Sequence, residues 1–278
     1  MSAIEAITLD FGNTLVPVPA AGLRAVVQAT ARDIAEQLGP FVLTDVLAAW
    51  DEERARQLRE ELPKFREVDL GVRVVRVLAR LRGLSPPEPD VPWDQDAAAA
   101  RSDPREVAQA LDVYMLAFVE ALPPPPTVEP MLARLAGQYR LAILSNWPLG
   151  TALDRYADAA HWTRHLSAIV VSQRVGSIKP QPAIFEVARA ALGHPPPEAI
   201  LHVGDDWAAD VVGAKRAGWH AGYLGTRPDD SPLPSSVPDA SVKADLELEA
   251  LADLEPALAA WQARGPDVVR DGRGGRSR

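Results

Sequence analysis

The first hydrophobic stretch of the chain is a short apolar run, residues 3–9, that ends on Asp10 and is followed by the turn residues Gly12 and Asn13. An apolar run of this length, bounded by turn residues, predicts a strand that is buried on both faces. Open α/β sheets bind their ligands at the carboxyl ends of the strands. Asp10 is therefore the first candidate for a functional residue.

From residue 20 onwards the apolar positions recur every three or four residues, which is the spacing of one face of a helix. The predicted helices span residues 20–38, 44–61 (capped by Thr44 and Asp45), 70–81 and 104–122. Four arginines of the third helix are expected to form a solvated face: Arg73, Arg76, Arg80 and Arg82. Because prolines bracket this stretch and no strand pattern interrupts it, residues 17–126 predict an all-helical insertion.

Beyond the insertion, strand patterns alternate with helical ones. The predicted strands are 141–144, 168–172, 200–203 and 219–224, and the predicted helices are 128–138, 150–160, 181–192, 208–217 and 246–263. This alternation predicts the α/β class, with a doubly wound, Rossmann-like parallel sheet. The core domain would be discontinuous, residues 1–16 and 127–264, and the glycine- and arginine-rich residues 265–278 predict a disordered tail.

Composition narrows the functional class. The chain has 278 residues, with 29 Lys and Arg against 38 Asp and Glu, and its net charge of −9 argues against nucleic acid or an anionic membrane as the partner. It has no cysteine, which excludes disulfides, thiolate catalysis and zinc–thiolate sites. Neither a signal-peptide core nor a bilayer-length apolar run is present, so we expect a cytoplasmic protein. A monomer and a homodimer remain equally open.

Polar side chains stand at four strand ends or in the loops that follow them. These residues are Asp10; Ser145 and Asn146; Lys179; and Asp205, Asp206 and Asp210. The carboxyl ends of parallel strands share one edge of the sheet, so these side chains are expected to converge. Carboxylates can hold Mg²⁺, an ammonium group can neutralise a phosphoryl group, and a carboxylate such as Asp10 can attack it.

The same residues resemble, in the same order, the four motifs of the haloacid dehalogenase-like hydrolase superfamily. The first motif, Asp-x-Asp-x-Thr/Val after an apolar strand, stands here as DFGNT beginning at Asp10. The others stand as LAILSN with Ser145, GSIKP with Lys179, and HVGDDWAAD with Asp205 and Asp210. The helical insertion matches the position of the superfamily's cap, so residues 17–126 are expected to be a cap domain. The resemblance implies a hydrolase of the phosphatase type.

The resemblance also implies the catalytic and metal-binding roles. Asp10 would be the nucleophile that forms an aspartyl-phosphate and would also bind the cofactor Mg²⁺. Asp205 and the backbone carbonyl of Gly12 would be further Mg²⁺ ligands. Ser145 and Lys179 would hold the phosphoryl oxygens during transfer. The implied substrate is a small phosphorylated metabolite.

Five further positions complete the implied site. Asn13, Thr14 and Asn146 would line the pocket that binds the substrate. Asp210 would lie behind the ligands and orient a metal-bound water or Lys179. Asp206 would also lie behind them, and at the start of a helix it is expected to accept hydrogen bonds from backbone N–H groups as an N-cap.

Gly12 departs from the family pattern. The superfamily usually carries a second aspartate here, which protonates the leaving group and later activates water. Glycine keeps the carbonyl for the metal but provides no acid, and general acid–base help is typically worth about 10²–10⁴-fold in rate. Three explanations are open: substrates with good leaving groups, an acid from the cap, or a slow enzyme. Phosphatase branches with glycine at this position are known in the superfamily.

Three functions therefore remain in competition. The first is a Mg²⁺-dependent phosphatase. The second is a metal-independent 2-haloacid dehalogenase, since these enzymes also lack the second aspartate and use a Ser-Asn pair; Arg24 is the nearest candidate for their halide-binding arginine. The third is a non-enzymatic binding or regulatory protein on the same fold, for which Gly12 is the only indication.

Overall fold

A computed structural model describes residues 3–89 and 91–263. Its centre is a parallel sheet with the strand order β3-β2-β1-β4-β5-β6. The strands are β1 Ala6–Leu9, β2 Arg140–Ser145, β3 Ala168–Val171, β4 Ile200–Gly204, β5 His220–Leu224 and β6 Leu246–Leu248. This order is that of a doubly wound, Rossmann-like fold, so the predicted fold class is confirmed. The predicted tail, residues 265–278, lies outside the described residues.

Helices cover the sheet and fill the connection between β1 and β2. They are α1 Ala20–Gln37, α2 Leu43–Glu61, α3 Leu70–Leu81, α4 Gln95–Ala99, α5 Pro104–Ala121, α6 Val128–Ala136, α7 Gly150–Ala159, α8 Ser172–Val175, α9 Pro182–Ala191, α10 Gly213–Arg216 and α11 Leu254–Ala263. The described part of residues 17–126 holds five of them and no strand. The limits of the cap domain remain a prediction. Among the described helices, none combines the length and the apolar character that crossing a bilayer requires.

The predicted cap of α2 is wrong. The helix begins one residue earlier than expected, at Leu43, and its N-cap is Val42, whose side chain makes no capping hydrogen bond. Thr44 and Asp45 therefore lie inside the first turn. The negative charge of Asp45 still favours the helix there, because the N-terminus of a helix carries a partial positive charge.

The predicted solvated face of α3 is also wrong. Arg73 and Arg76 are only 6% and 5% exposed, because α2 packs against this face. Arg73 donates to Oε1 of Gln57 at 3.0 Å, and Arg76 pairs with Glu60 at 2.7 Å. Charge spacing along one helix cannot reveal that a neighbouring helix offers matching acceptors.

The last predicted helix, residues 246–263, begins instead as a strand. Leu246–Leu248 pairs in parallel with β5 at the edge of the sheet, and the α-helix starts only at Leu254. Sheet pairing and burial override the local helical pattern here. The predicted helix 208–217 likewise opens with a π-helical turn, Trp207–Val212, and the short helix α4 was not predicted.

The end of β1 is fixed by an aromatic cluster. Phe11, which directly follows Asp10, is fully buried. Its ring centre lies 5.0 Å from Tyr156, 5.5 Å from Trp147 and 5.9 Å from Phe118 of α5. The contacts with Tyr156 and Trp147 are edge-to-face, a geometry that adds to the stabilisation from burying large rings. The helical insertion and the sheet thus meet directly beside Asp10, which holds this carboxylate at the sheet edge.

Candidate active site

Three carboxylates meet where the strand order reverses. Asp10 follows β1 and Asp205 follows β4, which is the neighbouring strand, and the backbone N–H of Asp10 donates to the carbonyl of Val203 at 2.9 Å. Asp10, Asp205 and Asp210 each place an oxygen within 4.8 Å of the others. Ligands bind in this crevice in doubly wound folds. The predicted convergence of strand ends is therefore what the structure shows for these residues.

Lys179 supplies the positive charge of the cluster. Its side chain is almost fully buried, and Nζ lies 2.6 Å from Oδ1 of Asp210, 3.1 Å from Oδ1 of Asp10 and 2.9 Å from the carbonyl of Leu144. Asn146 holds the backbone of Lys179 through both ends of its amide, at 2.8 and 3.1 Å. The visible contribution of Asn146 is thus to position Lys179, while its predicted contact with substrate remains a prediction.

Asp210 is anchored from several sides. Beyond Lys179, its Oδ1 lies 3.0 Å from Nε2 of His202, and its Oδ2 accepts from the backbone N–H of Asp206 at 2.9 Å. A neutral His202 that donates to Asp210 can accept at Nδ1 from the hydroxyl of Thr8, 2.8 Å away. Gly204 makes room for this packing, because a Cβ there would lie 2.1 Å from Oδ2 of Asp210.

Asp206 caps the helical turn that follows β4. Its side chain accepts from the backbone N–H of Ala209 at 2.7 Å, so the predicted N-cap is confirmed. Ser236 also donates to the same oxygen, at 2.8 Å. An N-cap typically stabilises a helix by about 1 kcal/mol. The structure therefore shows Asp206 stabilising the helical turn that contains Asp210.

Burial and the neighbouring carboxylates Asp10 and Asp210 raise the pKa of Asp205 to about 7. Burial also raises the pKa of Asp10, although the ammonium of Lys179 opposes this shift. Burial alone would lower the pKa of Lys179, but the two adjoining carboxylates raise it, so Lys179 is charged. The cluster consequently holds more negative charge than its buried lysine can balance, which is a physical reason for it to bind a cation.

The turn after β1 presents two further predicted residues. Asn13 has a left-handed backbone with φ +56°, and its Oδ1 accepts from the backbone N–H of Val18 at 3.1 Å. Its Nδ2 lies 3.4 Å from Oδ2 of Asp205 and so links the first motif to the fourth. The hydroxyl of Thr14 is buried with no hydrogen-bond partner among the described residues. Its contact with substrate remains a prediction.

Ser145 ends β2, with 1% of its surface exposed, and its hydroxyl opposes the rise that burial causes in the pKa of Asp10. A donor beside the carboxylate stabilises the ionised form, which is the form that can attack or bind a cation. Ser145 is thus placed next to Asp10, as the strand-end pattern predicted. Its contact with a phosphoryl oxygen remains a prediction.

The loop after β5 covers this crevice, and its role at the site was not predicted from the sequence. Residues 227–236 of this loop, here called the strap, reach three of the motif residues. The guanidinium of Arg227 lies 3.1 Å from Oδ2 of Asp205, Ser231 lies 3.0 Å from Nδ2 of Asn13, and Ser236 contacts Asp206. The proline- and serine-rich composition of this segment gives no sign of where it packs. Its position after a strand of the sheet was the one available signal, since such loops lie at the ligand-binding edge.

Leu233 of the strap occupies the space beside Gly12. A Cβ built on Gly12 would lie 2.5 Å from Cδ1 of Leu233 and 3.3 Å from the ring of Trp147. The first distance is far below an ordinary contact between carbon atoms. An aspartate at position 12 would therefore require the side chain of Leu233 to move.

Replacing Gly12 by aspartate is therefore expected to destabilise the protein by about 1–3 kcal/mol, the usual cost of overpacking. The double variant with Leu233→Ala should recover part of this loss, because it removes the blocking methyl group. Urea unfolding of both variants and of Leu233→Ala alone measures the coupling. Equal stability of Gly12→Asp and the wild type would show that the strap does not restrict this position.

The donor set fits a hard divalent cation. Oδ1 of Asp10 is buried, and apart from the ammonium of Lys179, 3.1 Å away, it has no hydrogen-bond partner among the described residues. Asp205 offers a second carboxylate within reach of the same point. Oxygen donors of this kind suit Mg²⁺, which usually keeps several waters and takes only one or two carboxylates from the protein.

Comparisons with known proteins agree with this arrangement. Residues 4–218 match the sequence model of a family described as haloacid dehalogenase-like hydrolase. The chain is 34% identical over 153 residues to the phosphoserine phosphatase of Thermus thermophilus, a match that covers 53% of this chain and 57% of that protein. It is 33% identical over 122 residues to the glyceraldehyde 3-phosphate phosphatase of Methanopyrus kandleri, covering 43% and 51% of the two chains.

Solved structures show the same fold. The 2-haloacid dehalogenase of Pseudomonas syringae superimposes with a TM-score of 0.65 at 23% identity, covering 93% of this chain and 99% of that one. A likeness at this identity supports the fold alone. The chain spans about half the length of the curated relatives it matches. Because the family match extends over residues 4–218, this chain belongs to the haloacid dehalogenase-like hydrolase family.

Proposed function

We propose that the protein is a Mg²⁺-dependent phosphatase that hydrolyses a small phosphorylated metabolite through an aspartyl-phosphate at Asp10. The observation that carries this proposal is the cluster of Asp10, Asp205 and Asp210 around the buried ammonium of Lys179. One crevice would then contain the carboxylate nucleophile, the site for the metal ion, and the lysine ammonium that binds the phosphoryl group. The curated relatives named as phosphatases support this choice of reaction.

The first step is attack by Asp10 on the phosphorus of the substrate. The new bond joins a carboxylate oxygen to phosphorus, and the bond from phosphorus to the leaving oxygen breaks. Lys179 stabilises the charge that develops on the phosphoryl oxygens, because its buried ammonium needs no reorganisation during the reaction. Ser145 and Thr14 would donate hydrogen bonds to the same oxygens. Water then attacks the phosphorus of the intermediate, and the bond between phosphorus and the oxygen of Asp10 breaks. Phosphate leaves with the oxygen of the water, whose proton passes to phosphate or to solvent, and the carboxylate of Asp10 is restored.

Mg²⁺ would be held by Asp10, Asp205 and the backbone carbonyl of Gly12. When bound, such a cation neutralises phosphoryl charge and helps to orient the transferring group. Asp210 does not need to be a ligand, since Lys179, His202 and the backbone of Asp206 already contact its oxygens. It instead holds Lys179 in place.

Because position 12 has no acidic side chain, we expect the enzyme to prefer substrates whose leaving groups need little help from an acid. An alkoxide leaving group needs a proton as the bond breaks, and Gly12 has no group that could provide one. Substrates with weakly basic leaving groups, such as acyl phosphates and sugar-1-phosphates, depend less on that help. We therefore expect these two classes to be turned over faster than simple alkyl phosphates, by a factor of up to about 10².

A 2-haloacid dehalogenase is the second candidate. One observation favours it: Arg227 and Lys179 together bring two positive charges to three carboxylates, so the site can be nearly balanced without a metal. The expected halide-binding residue gives no support, because Arg24 is exposed on α1 and makes no hydrogen bond or ion pair within the described part of the chain. We therefore place this candidate second.

A phosphoester panel assayed with and without Mg²⁺ distinguishes the two functions. We expect phosphate release that falls at least about 10²-fold when EDTA removes the cation, since the metal shares in neutralising the transferred group. The same preparation is incubated with 2-chloropropionate. Chloride release that is independent of metal, without phosphate release from any ester, would replace the phosphatase proposal by the dehalogenase. Inactivity in both assays would favour a non-enzymatic protein.

A further inference from the structure

Arg227 places a positive charge directly on a carboxylate that we propose as a metal ligand. Its Nη1 lies 3.1 Å from Oδ2 of Asp205, and only 20% of its side chain is exposed. The same guanidinium donates to the carbonyls of Leu233 and Pro234, at 2.8 and 3.2 Å, so the strap holds it in place. An arginine fixed by three acceptors is a rigid charge that cannot easily turn away.

The carboxylate of Asp205 has a second donor that carries no charge. Nδ2 of Asn13 lies 3.4 Å from the same oxygen, Oδ2. Hydrogen bonds to the non-ligating oxygen orient a metal-binding carboxylate, and Asn13 is able to do this without Arg227. What Arg227 alone contributes is therefore its charge.

We propose that Arg227 sets the affinity of this site for a divalent cation by competing with it for the negative charge of Asp205. The inference rests on the proposed metal site. Even with the dielectric constant of bulk water, a unit positive charge roughly 6 Å from a dication weakens its binding about tenfold. The partly buried crevice screens the repulsion less than water does. The strap is thus part of the active site, and its arginine keeps the acidic cluster balanced when no cation is bound.

Binding of Mn²⁺, as a probe for Mg²⁺, tests this without measuring activity. Free Mn²⁺ is followed by electron paramagnetic resonance in titrations of the full chain. Arg227→Gln is expected to bind Mn²⁺ about tenfold more tightly than the wild type, because a neutral amide replaces the competing charge. Arg134→Gln is the matched control, since it removes the same charge from an exposed ion pair with Glu255. Its dissociation constant should stay within about twofold of the wild-type value.

Two more variants show whether a change in Mn²⁺ affinity comes from the lost charge of Arg227 or from loosening of the strap. Arg227→Lys keeps the charge but cannot contact the three acceptors in the same way. Because the charge is kept, its affinity for Mn²⁺ should stay near that of the wild type. Tightening by Arg227→Lys equal to that of Arg227→Gln would overturn the proposal, because loosening of the strap would then be the cause. Adding Asp205→Asn to Arg227→Gln should abolish the tightened binding.

Two outcomes distinguish a failure of this inference from a failure of the proposed function. Equal Mn²⁺ affinity in the wild type and Arg227→Gln overturns the role of Arg227 and leaves the metal site intact. Absence of binding to both proteins at millimolar Mn²⁺ overturns the role of Arg227 together with the proposed metal dependence.

Discussion

Replacing Asp10 by asparagine will reduce phosphate release from any ester that the wild type hydrolyses by roughly 10⁴-fold or more. The amide has nearly the same shape as the carboxylate, but it is not a nucleophile and is a weaker ligand for a hard cation. Initial rates of phosphate release at saturating substrate and Mg²⁺ measure the effect. Quenched reactions with ³²P-labelled substrate should label the wild-type chain and leave Asp10→Asn unlabelled.

The fold of this variant should be preserved. Asparagine at position 10 removes one of three carboxylates whose oxygens lie within 4.8 Å of each other, so their repulsion falls. The attraction between Asp10 and Lys179 is lost at the same time, and the free energy of unfolding is expected to change by less than about 1 kcal/mol. Asp112→Asn, at an exposed position on α5, is the control and should keep the wild-type rate. Activity above one tenth of the wild type in Asp10→Asn would rule out Asp10 as the nucleophile.

Replacing Lys179 by methionine will cost about 3–5 kcal/mol of stability at neutral pH, the usual cost of leaving a buried charge without its partner. Lys179 is the buried donor to both Asp210 and the carbonyl of Leu144. Phosphate release should fall as well, since the variant lacks the charge that we propose holds the phosphoryl group. Urea unfolding at pH 7.5 gives the loss. Lys215→Met is the control, because its ion pair with Asp245 lies at a surface where the lysine is 33% exposed and is worth less than about 1 kcal/mol.

The pH dependence of the difference in unfolding free energy between Lys179→Met and the wild type provides a second test of this prediction. Lys179 lowers the pKa of Asp210 against the effect of burial, so the stabilisation is present at neutral pH and is lost as the pH falls through the folded-state pKa. In Lys179→Met the pKa of Asp210 rises, and the variant should lose stability relative to the wild type as the pH rises above about 4. The difference in unfolding free energy should therefore be larger at pH 7.5 than at pH 4.5. A constant difference would show that lost packing, and not charge, causes the effect.

Much of the site could be predicted because its residues stand at strand ends. Asp10, Ser145 and Asp205 follow apolar runs, and the parallel order of the strands brings their ends to one edge. Lys179 was predicted from its place before a helix in the third motif. The N-cap role of Asp206 followed from the preference of aspartate for helix starts, and the structure confirms it.

Other features could not be predicted, since they depend on which segments meet in three dimensions. The buried arginines of α3 required knowledge that α2 lies against them. The strand Leu246–Leu248 forms because β5 offers an edge to pair with, and the local helical pattern of residues 246–263 does not indicate this pairing. The contacts of Asn146 with the backbone of Lys179 also became visible only in the structure, while its contact with substrate remains a prediction.

At the active site, Gly12 and Arg227 show the same difference between what the sequence predicts and what only the tertiary structure determines. The sequence by itself determined the fold class, the strand-end carboxylates and the absence of an acid at position 12, because these depend on residue type and on local spacing. Only the tertiary structure decided that Leu233 fills the space beside Gly12 and that Arg227 contacts Asp205. The two partners of each contact are more than twenty residues apart, or at opposite ends of the chain, and no local spacing rule connects them. Chain folding alone brings them within contact distance.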